Sequence, residues 1–138
     1  MRKLFMSAIA GALLGLSASA VPSSLGGSCP EGVQQLRIYE IFERNKPAFH
    51  ARFRDHATRI MKRHGFKIIT MWETKHGDRT EFAYLLQWPN EAVMKQRWAA
   101  FMSDEEWSRI KRETAAMQGQ MVGEIEERTL KRTDYSPC

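Results

Sequence analysis

The side chains that could do acid–base or metal chemistry are thinly spread along this chain of 138 residues. Metal binding by imidazoles needs histidines at short, regular spacings, because two ring nitrogens must reach one ion. No H-x-x-x-H, C-x-x-C or H-E-x-x-H motif occurs, and the histidines stand well apart at His50, His56, His64 and His76. The sequence therefore predicts no metal site and indicates no cofactor.

Nucleophilic and carboxylate catalysis are equally poorly supported by the residue spacing. An activated serine or cysteine needs a neighbouring base, yet no G-x-S-x-G motif occurs and neither cysteine lies near a histidine in sequence. The adjacent pair Glu105-Glu106 falls at a predicted helix start, where acids suit the helix dipole. The pair Glu126-Glu127 falls on a predicted strand, so its side chains should point to opposite faces. Catalytic residues therefore stay unassigned.

Aromatic residues provide a more specific hypothesis. Trp72, Tyr84 and Trp88 fall on two predicted strands, and Trp98 falls on a predicted helix. Because small-molecule sites are apolar clefts with a few polar groups, we expect such a cleft between sheet and helices. The alternative is that these rings only fill the core and a dimer interface. The candidate binding residues are Tyr39, His56, Trp72, Tyr84 and Arg97, with His50 as a further polar group.

The elements that must position these residues follow the order strand, helix, strand, strand, helix, strand. Strands are indicated by β-branched and aromatic alternation, and helices by apolar residues at helical spacing. The predicted strands are 33–42, 66–74, 80–88 and a last one ending at 130; the predicted helices are 45–64, 90–102 and one from 103. Right-handed crossovers then give an α+β, ferredoxin-like split βαβ fold. It has a four-stranded antiparallel sheet with helices on one face.

The first helix should bury one stripe and expose another. The apolar stripe consists of Phe49, Phe53, Ala57, Ile60 and Met61. The polar face is expected to carry Arg52, Arg54, Asp55, Arg59, Lys62 and Arg63. Gly65 is predicted to end this helix. Further along, Ser103 is the predicted N-cap of a capping box completed by Glu106.

The two central strands are apolar on both faces, which has a consequence for assembly. We assign Phe66, Ile68 and Trp72 to the helix side with Phe82, Tyr84, Leu86 and Trp88, and we assign Ile69, Met71, Ala83 and Leu85 to the outer side. An antiparallel sheet with one wet face should be polar there, and large exposed apolar patches usually mark interfaces. The pattern therefore predicts a homodimer through the sheet face. The alternative is a monomer whose Arg and Lys stems cover that surface.

The amino terminus has the pattern of a secretory signal peptide. Arg2 and Lys3 precede an apolar stretch from Leu4 to Leu16, and a small-x-small motif ends at Ala20. We interpret residues 1–20 as a signal peptide cleaved after Ala20, which predicts a secreted or periplasmic protein with no membrane span after its removal. The alternative is an N-terminal membrane anchor, although the apolar stretch is short for one.

The segment that follows is expected to be a flexible tether over residues 21–32, rich in Pro, Ser and Gly. It contains Cys29, and the second cysteine is Cys138. Export would expose both thiols to an oxidising compartment, so an intrachain disulfide is the favoured hypothesis. Neighbouring first and last strands in a ferredoxin-like sheet would bring them together. Unpaired or intermolecular thiols, and lipidation of Cys29, are the alternatives.

Net charge gives little support to nucleic-acid binding. The chain carries +5, and removal of Arg2 and Lys3 with the signal peptide would leave +3. Nucleic-acid binding usually needs a concentrated basic face. We therefore expect no nucleic-acid partner.

Five short motifs, in order, resemble those of NIPSNAP domains across residues 33–137. They are Leu36-Arg37-Ile38-Tyr39, Arg63-His64-Gly65-Phe66-Lys67 followed by Trp72, Leu86-Gln87-Trp88, Ser103-Asp104-Glu105-Glu106-Trp107, and the closing run Leu130 to Pro137. This resemblance implies the dimeric α+β barrel superfamily, in agreement with the assembly expected from the strand pattern.

The resemblance narrows function only partly. Because no motif in the chain indicates a reaction, the favoured interpretation is a dimeric domain that binds a small apolar or aromatic ligand, or a protein partner. Eukaryotic NIPSNAP relatives are mitochondrial and linked to vesicle traffic, a role that an exported domain would not inherit directly. The wider superfamily includes cofactor-free, quinone-forming monooxygenases and haem-handling enzymes. A small enzyme of that kind, with an aromatic pocket between sheet and helices, is therefore the alternative to a binding module.

Overall fold

A computed structural model describes residues 29–138 of the chain. The predicted signal peptide, with its cleavage site after Ala20, and residues 21–28 of the predicted tether lie outside the described residues. Residues 29–32 lead without helix into the first strand. No helix in the described part of the chain is both long and apolar enough to cross a membrane.

Four strands form one antiparallel sheet. They are β1 (Val33–Ile41), β2 (Lys67–His76), β3 (Arg79–Trp88) and β4 (Val122–Leu130). Their order across the sheet is β2-β3-β1-β4, and every neighbouring pair is antiparallel. Placing β1 between β3 and β4 requires two crossovers, so the split βαβ, ferredoxin-like topology predicted from the sequence is confirmed.

Helices occupy both crossovers. A 3₁₀ turn (Glu43–Asn45) leads into α1 (Lys46–Arg52), a π-helical turn (Phe53–Ala57) and α2 (Thr58–Arg63). The residues at the junctions of α1, the π-helical turn and α2 stay in right-handed helical conformation, so these three pieces form one continuous helix, called here the first helix. The second crossover holds α3 (Glu91–Met102) and α4 (Glu105–Gln118).

The helix ends largely follow the sequence signals. Gly65 adopts φ +77°, and the backbone N–H of Phe66 donates to Met61 O, which closes the first helix as predicted. The N-cap of α4 is one residue later than predicted. It is Asp104, not Ser103, because the Asp104 carboxylate accepts from the backbone N–H of Trp107 at 3.0 Å.

A β-bulge in β2 changes which side chains share a face. Ile68 pairs with Leu86, but Thr70 pairs with Leu85, so one extra residue stands in β2 between them. Beyond the bulge Trp72 pairs with Ala83. The assignment of Trp72 to the helix side was therefore wrong, because a one-residue shift sends each later side chain to the opposite face. Met71 moves to the helix side for the same reason, opposite Tyr84.

The core lies between the sheet and the helices. Its strand side is the alternating series Phe82, Tyr84, Leu86 and Trp88 of β3, all buried. The predicted apolar stripe of the first helix is buried against it in full. Phe53, for example, meets Phe82 with ring centroids 4.6 Å apart. Edge-to-face contacts of this kind add to the burial of apolar area.

The outer face of the sheet has an apolar centre that spans three strands, and charged residues face outward on the fourth. Leu36 pairs with Leu85 and Ile38 with Ala83, and Trp72 beside Ala83 is 47% exposed. On β4, by contrast, the outward residues opposite Ile38 and Leu36 are Glu126 and Arg128, which pair with each other. The apolar side chains that β1, β2 and β3 place at the centre of this face are called here the outer patch. They are Leu36, Ile38, Trp72, Ala83 and Leu85.

The two cysteines are joined. Cys29 and Cys138 form a disulfide, with Cα atoms 5.2 Å apart and a sequence separation of 109. Antiparallel pairing of β1 with β4 brings the start of the domain next to its end. The bond therefore ties together the residues before β1 and the residues after β4.

Candidate functional site

A cavity of about 220 Å³ lies between the sheet and the helices. It opens where the first helix and α4 meet the inner face of β1 and β4. The lining residues come from all of these elements and from α3: Arg37, Tyr39, Phe49, Arg52, Phe53, Met61, Trp98, Phe101, Met102, Trp107, Lys111, Val122 and Ile125. Larger hollows exist at the described surface, such as one of about 480 Å³ along α4, but they are shallower.

The walls of this cavity are mainly aromatic. Trp107 of α4 stacks on Phe101 of α3, with ring centroids 5.4 Å apart and planes 26° apart. Phe49 and Phe53 come from the first helix, where the π-helical turn begins at Phe53. Such turns are frequently found at functional sites. An apolar, ring-lined hollow of this size favours a flat or short-chained ligand.

A pair of tyrosines supplies the hydroxyl groups at the base of the cavity. The hydroxyl oxygens of Tyr39 and Tyr84 are 2.7 Å apart. Tyr84 is fully buried, and this burial raises the pKa of its hydroxyl well above the usual value. Tyr39 is half-buried and also accepts a hydrogen bond from Arg37 at 3.4 Å. Tyr39 is thus the hydroxyl that a ligand could reach, and Tyr84 holds it in position.

Arg37 lies beside Tyr39 on the same strand face. Its guanidinium pairs with Glu127 of β4 and lies 4.4 Å from the centre of the Trp98 ring. Its Nε is buried and has no hydrogen-bond partner among the described residues. Buried donors without partners are rare in proteins, so this N–H is a position where a polar ligand atom would be favoured.

Two more cations surround Trp107. The guanidinium of Arg52 and the ammonium of Lys111 each lie 5.7 Å from the centre of its indole ring. Burial lowers the pKa of Arg52, an effect that nearby Tyr39 opposes. Burial also lowers the pKa of Lys111, and the charge of Arg52 lowers it further. The cavity is therefore apolar in its walls and positive at its polar groups.

The residues proposed from the sequence divide between four places. Tyr39 lines the cavity, and Tyr84, which is not part of the lining, forms a hydrogen bond with the Tyr39 hydroxyl. Trp72 lies on the outer face because of the β2 bulge. His56 is half-buried in the π-helical turn and is not part of the lining. Arg97 donates to the carbonyl of Gly65 at the end of the first helix, away from the cavity.

His50 is also separated from the cavity, because its Nε2 lies 3.0 Å from a carboxylate oxygen of Glu73 on β2. Among the residues that the structure describes, no cluster of three His, Cys, Asp or Glu side chains is arranged to hold a metal ion.

Sequence reasoning missed the three cations that line the cavity. Arg52 was assigned to the polar face of the first helix, which was wrong, since it is half-buried and lines the cavity. Arg37 lies two residues before Tyr39 on the same strand, so the two side chains share one face. Lys111 lies four residues after Trp107 on one helix, a spacing at which side chains meet. These two spacings were available as signals.

The sequence model of the NIPSNAP family matches residues 34–137, which is most of the chain. The chain belongs to the NIPSNAP family. The resemblance seen in the five motifs is thereby confirmed.

Solved structures agree with this NIPSNAP fold. A NIPSNAP family protein from Agrobacterium tumefaciens has a TM-score of 0.65 at 18% identity, covering 76% of this chain and 96% of that one. A NIPSNAP-like domain protein from Burkholderia xenovorans has a TM-score of 0.64 at 18% identity, covering 77% and 89%. At such identity the likeness establishes the fold alone. No curated protein matches this NIPSNAP chain by sequence.

Proposed function

We propose that this NIPSNAP domain is a binding module for a small, largely apolar ligand. The observation that carries the proposal is the ring-lined cavity between sheet and helices. Its aromatic walls would bury the body of a ligand, and Tyr39 would offer a hydrogen bond. Apolar burial contributes roughly 25 cal/mol for each Å² of surface removed from water. A ligand that fills the cavity is therefore expected to bind without covalent chemistry.

The test is a titration followed by tryptophan fluorescence, because Trp98 and Trp107 line the cavity. We expect saturable quenching by a neutral probe such as 1-octanol or benzyl alcohol. Val122→Phe would fill the cavity and weaken the binding at least tenfold. Val93→Phe is the matched control, because Val93 is half-buried on α3 and is not part of the lining. Equal binding by both variants, or no saturable quenching of the unmodified protein, would contradict the proposal.

The alternative function is cofactor-free oxidation of a phenol to a quinone by O₂, with release of water. The observation that favours it is the Tyr39 hydroxyl, which is held between Tyr84 and Arg37 inside an aromatic cavity. The same titration with a phenol, followed by oxygen uptake and by analysis of the recovered compound, separates the two functions. A binding module returns the phenol unchanged.

We also propose that the domain acts as a homodimer, with the outer patch of one copy against that of the other. The support is the row of half-buried and exposed apolar side chains that the outer face leaves to water. The charged residues Glu126 and Arg128 border this row on β4 and would form a polar rim.

Export to the periplasm or the cell exterior is proposed as well. The disulfide between Cys29 and Cys138 supports it, because such bonds persist mainly in oxidising compartments. Cleavage after Ala20 predicts the mass of the mature chain, which intact-protein mass spectrometry would measure directly.

A further inference from the structure

Arg52 and Lys111 are half-buried cations on the helices. Several arginines on the same helices are neutralised by carboxylates: Arg59 and Arg63 pair with Glu106, and Arg109 pairs with Glu113. Neither Arg52 nor Lys111 has a carboxylate partner among the residues described by the structure. The guanidinium of Arg52 donates only to the Thr114 hydroxyl, at 3.1 Å.

These two charges are placed where water cannot fully compensate for the missing anion. Both side chains are half-buried, and both line the cavity around the same indole ring of Trp107. Each charge repels the other, as the lowered pKa of Lys111 indicates. Partly dehydrated like charges are unfavourable unless an opposite charge is supplied.

No carboxylate is among the described lining residues of the cavity, and the one that pairs with a lining cation is already occupied. Glu127 pairs with Arg37, and it also lies within 3.4 Å of the side-chain amide of Gln35. Glu127 is on β4, whereas Arg52 and Lys111 are on the two helices that face it. The cavity therefore keeps two positive charges without a negative one.

We propose that the cavity binds a small organic anion, whose carboxylate is held by Arg52 and Lys111 and whose apolar body lies among Phe53, Phe101 and Trp107. This inference rests on the proposed binding function and specifies its ligand class. The carboxylate would accept hydrogen bonds from both cations, and charge-assisted bonds are about twice as strong as neutral ones. Tyr39, beside Arg37, would meet the opposite end of the ligand.

The cavity volume limits the size of this anion. About 220 Å³ is smaller than the roughly 300–1,000 Å³ of sites that enclose drug-sized ligands. The apolar body is therefore a single ring or a chain of medium length. Large polycyclic ligands and whole lipids are excluded unless the walls move.

The test compares probes that differ in charge and share one body. Benzoate is compared with benzyl alcohol, and octanoate with 1-octanol, by isothermal titration of the purified protein at neutral pH. We expect one of the two acids to bind at least tenfold more tightly than its alcohol. The pair that shows this preference identifies the body as aromatic or aliphatic. Raising the salt concentration should weaken binding of the acid and leave binding of the alcohol unchanged.

Two variants locate the charge preference. Lys111→Gln and Arg52→Gln should each reduce acid binding about tenfold and change alcohol binding less than twofold. The matched controls are Arg109→Gln on α4 and Arg54→Gln on the first helix, both exposed cations with carboxylate partners outside the cavity. These controls lose the same charge and should keep the preference. Circular dichroism checks the fold of each variant.

The outcomes separate the two proposals. If acids and alcohols bind equally, the anion proposal is wrong and the binding module stands. If Lys111→Gln and Arg109→Gln reduce the affinity for the acid to the same extent, the preference for acids comes from overall charge and the site proposed here is wrong. If neither acid nor alcohol binds, the binding module itself is wrong.

Discussion

The hydroxyl groups of Tyr39 and Tyr84 lie 2.7 Å apart, with one in reach of the cavity and the other fully inside the core. Tyr84 depends on this contact, because its burial leaves no water to replace the partner. Tyr39 has alternatives, since Arg37 also donates to it. The two positions should therefore respond differently to loss of the hydroxyl.

Tyr39→Phe should lower the free energy of unfolding by about 1–3 kcal/mol, because it leaves the Tyr84 hydroxyl buried without a partner. Tyr84→Phe removes the buried hydroxyl itself and should cost less than about 1 kcal/mol. Once Tyr84→Phe has removed the buried hydroxyl, adding Tyr39→Phe should cost almost nothing, so the double variant should be about as stable as Tyr84→Phe alone. Urea unfolding of all four proteins measures this cycle. Equal and additive losses would show that the hydroxyl pair is not coupled.

The carboxylate of Asp104 should make stability depend on pH. Its pKa is held well below the ordinary 3.8, first by His64, then by Arg63, and then by the backbone N–H of Trp107. A carboxylate whose pKa is lower in the folded state than in the unfolded chain stabilises the fold at pH values above its unfolded-state pKa. This stabilisation is lost as the pH falls below that pKa. The loss should therefore begin near pH 4 and grow toward about pH 2.

Asp104→Asn isolates this effect, because Asn is also a good N-cap and does not titrate. Near neutral pH the variant should be less stable than the unmodified protein. The difference should shrink as pH falls through the acid range, and urea unfolding at several pH values follows it. A difference that is constant with pH would mean that the carboxylate charge contributes nothing.

Loss of the disulfide should destabilise the domain strongly. Cys138→Ser is expected to lower the free energy of unfolding by about 2–5 kcal/mol, because the bond closes a long loop and restricts the unfolded chain. Thiol titration of the denatured, unreduced protein should find no reactive thiol in the unmodified chain and one in the variant. Reactive thiols in the unmodified protein would contradict the pairing of Cys29 with Cys138.

The outer patch should control assembly. Trp72→Glu places a charge among apolar side chains of the proposed dimer interface, and it should convert a dimer to a monomer at micromolar concentration. Met117→Glu is the control, since Met117 is 73% exposed on α4, on the helix side of the sheet. Light scattering coupled to size exclusion measures both masses. A monomeric unmodified protein would overturn the dimer proposal.

The fold was predictable because its signals are local and mutually consistent. Apolar alternation in β3 and the stripe of the first helix each specify one buried face, and Gly65 marks a helix end. Only the ferredoxin-like arrangement places these faces together with short connections. Family membership was predictable for a related reason, since its motifs lie at these same strand starts and helix ends.

The candidate site was less predictable because its geometry depends on single-residue irregularities. The bulge between Ile68 and Thr70 moves Trp72 across the sheet, and no residue type announces it. Arg52 lies just before the π-helical turn that begins at Phe53 and lines the cavity, although the sequence pattern assigned it to the polar face of the first helix. Of the five proposed binding residues, only Tyr39 and Tyr84 are brought together.

The bond between Cys29 and Cys138 has a mechanical consequence. A pulling force that enters through the segment before Cys29 and leaves through Cys138 would pass directly from one sulfur to the other. The strands and helices between them would carry none of that load. A chain pulled at these two points could therefore be stretched without opening its cavity.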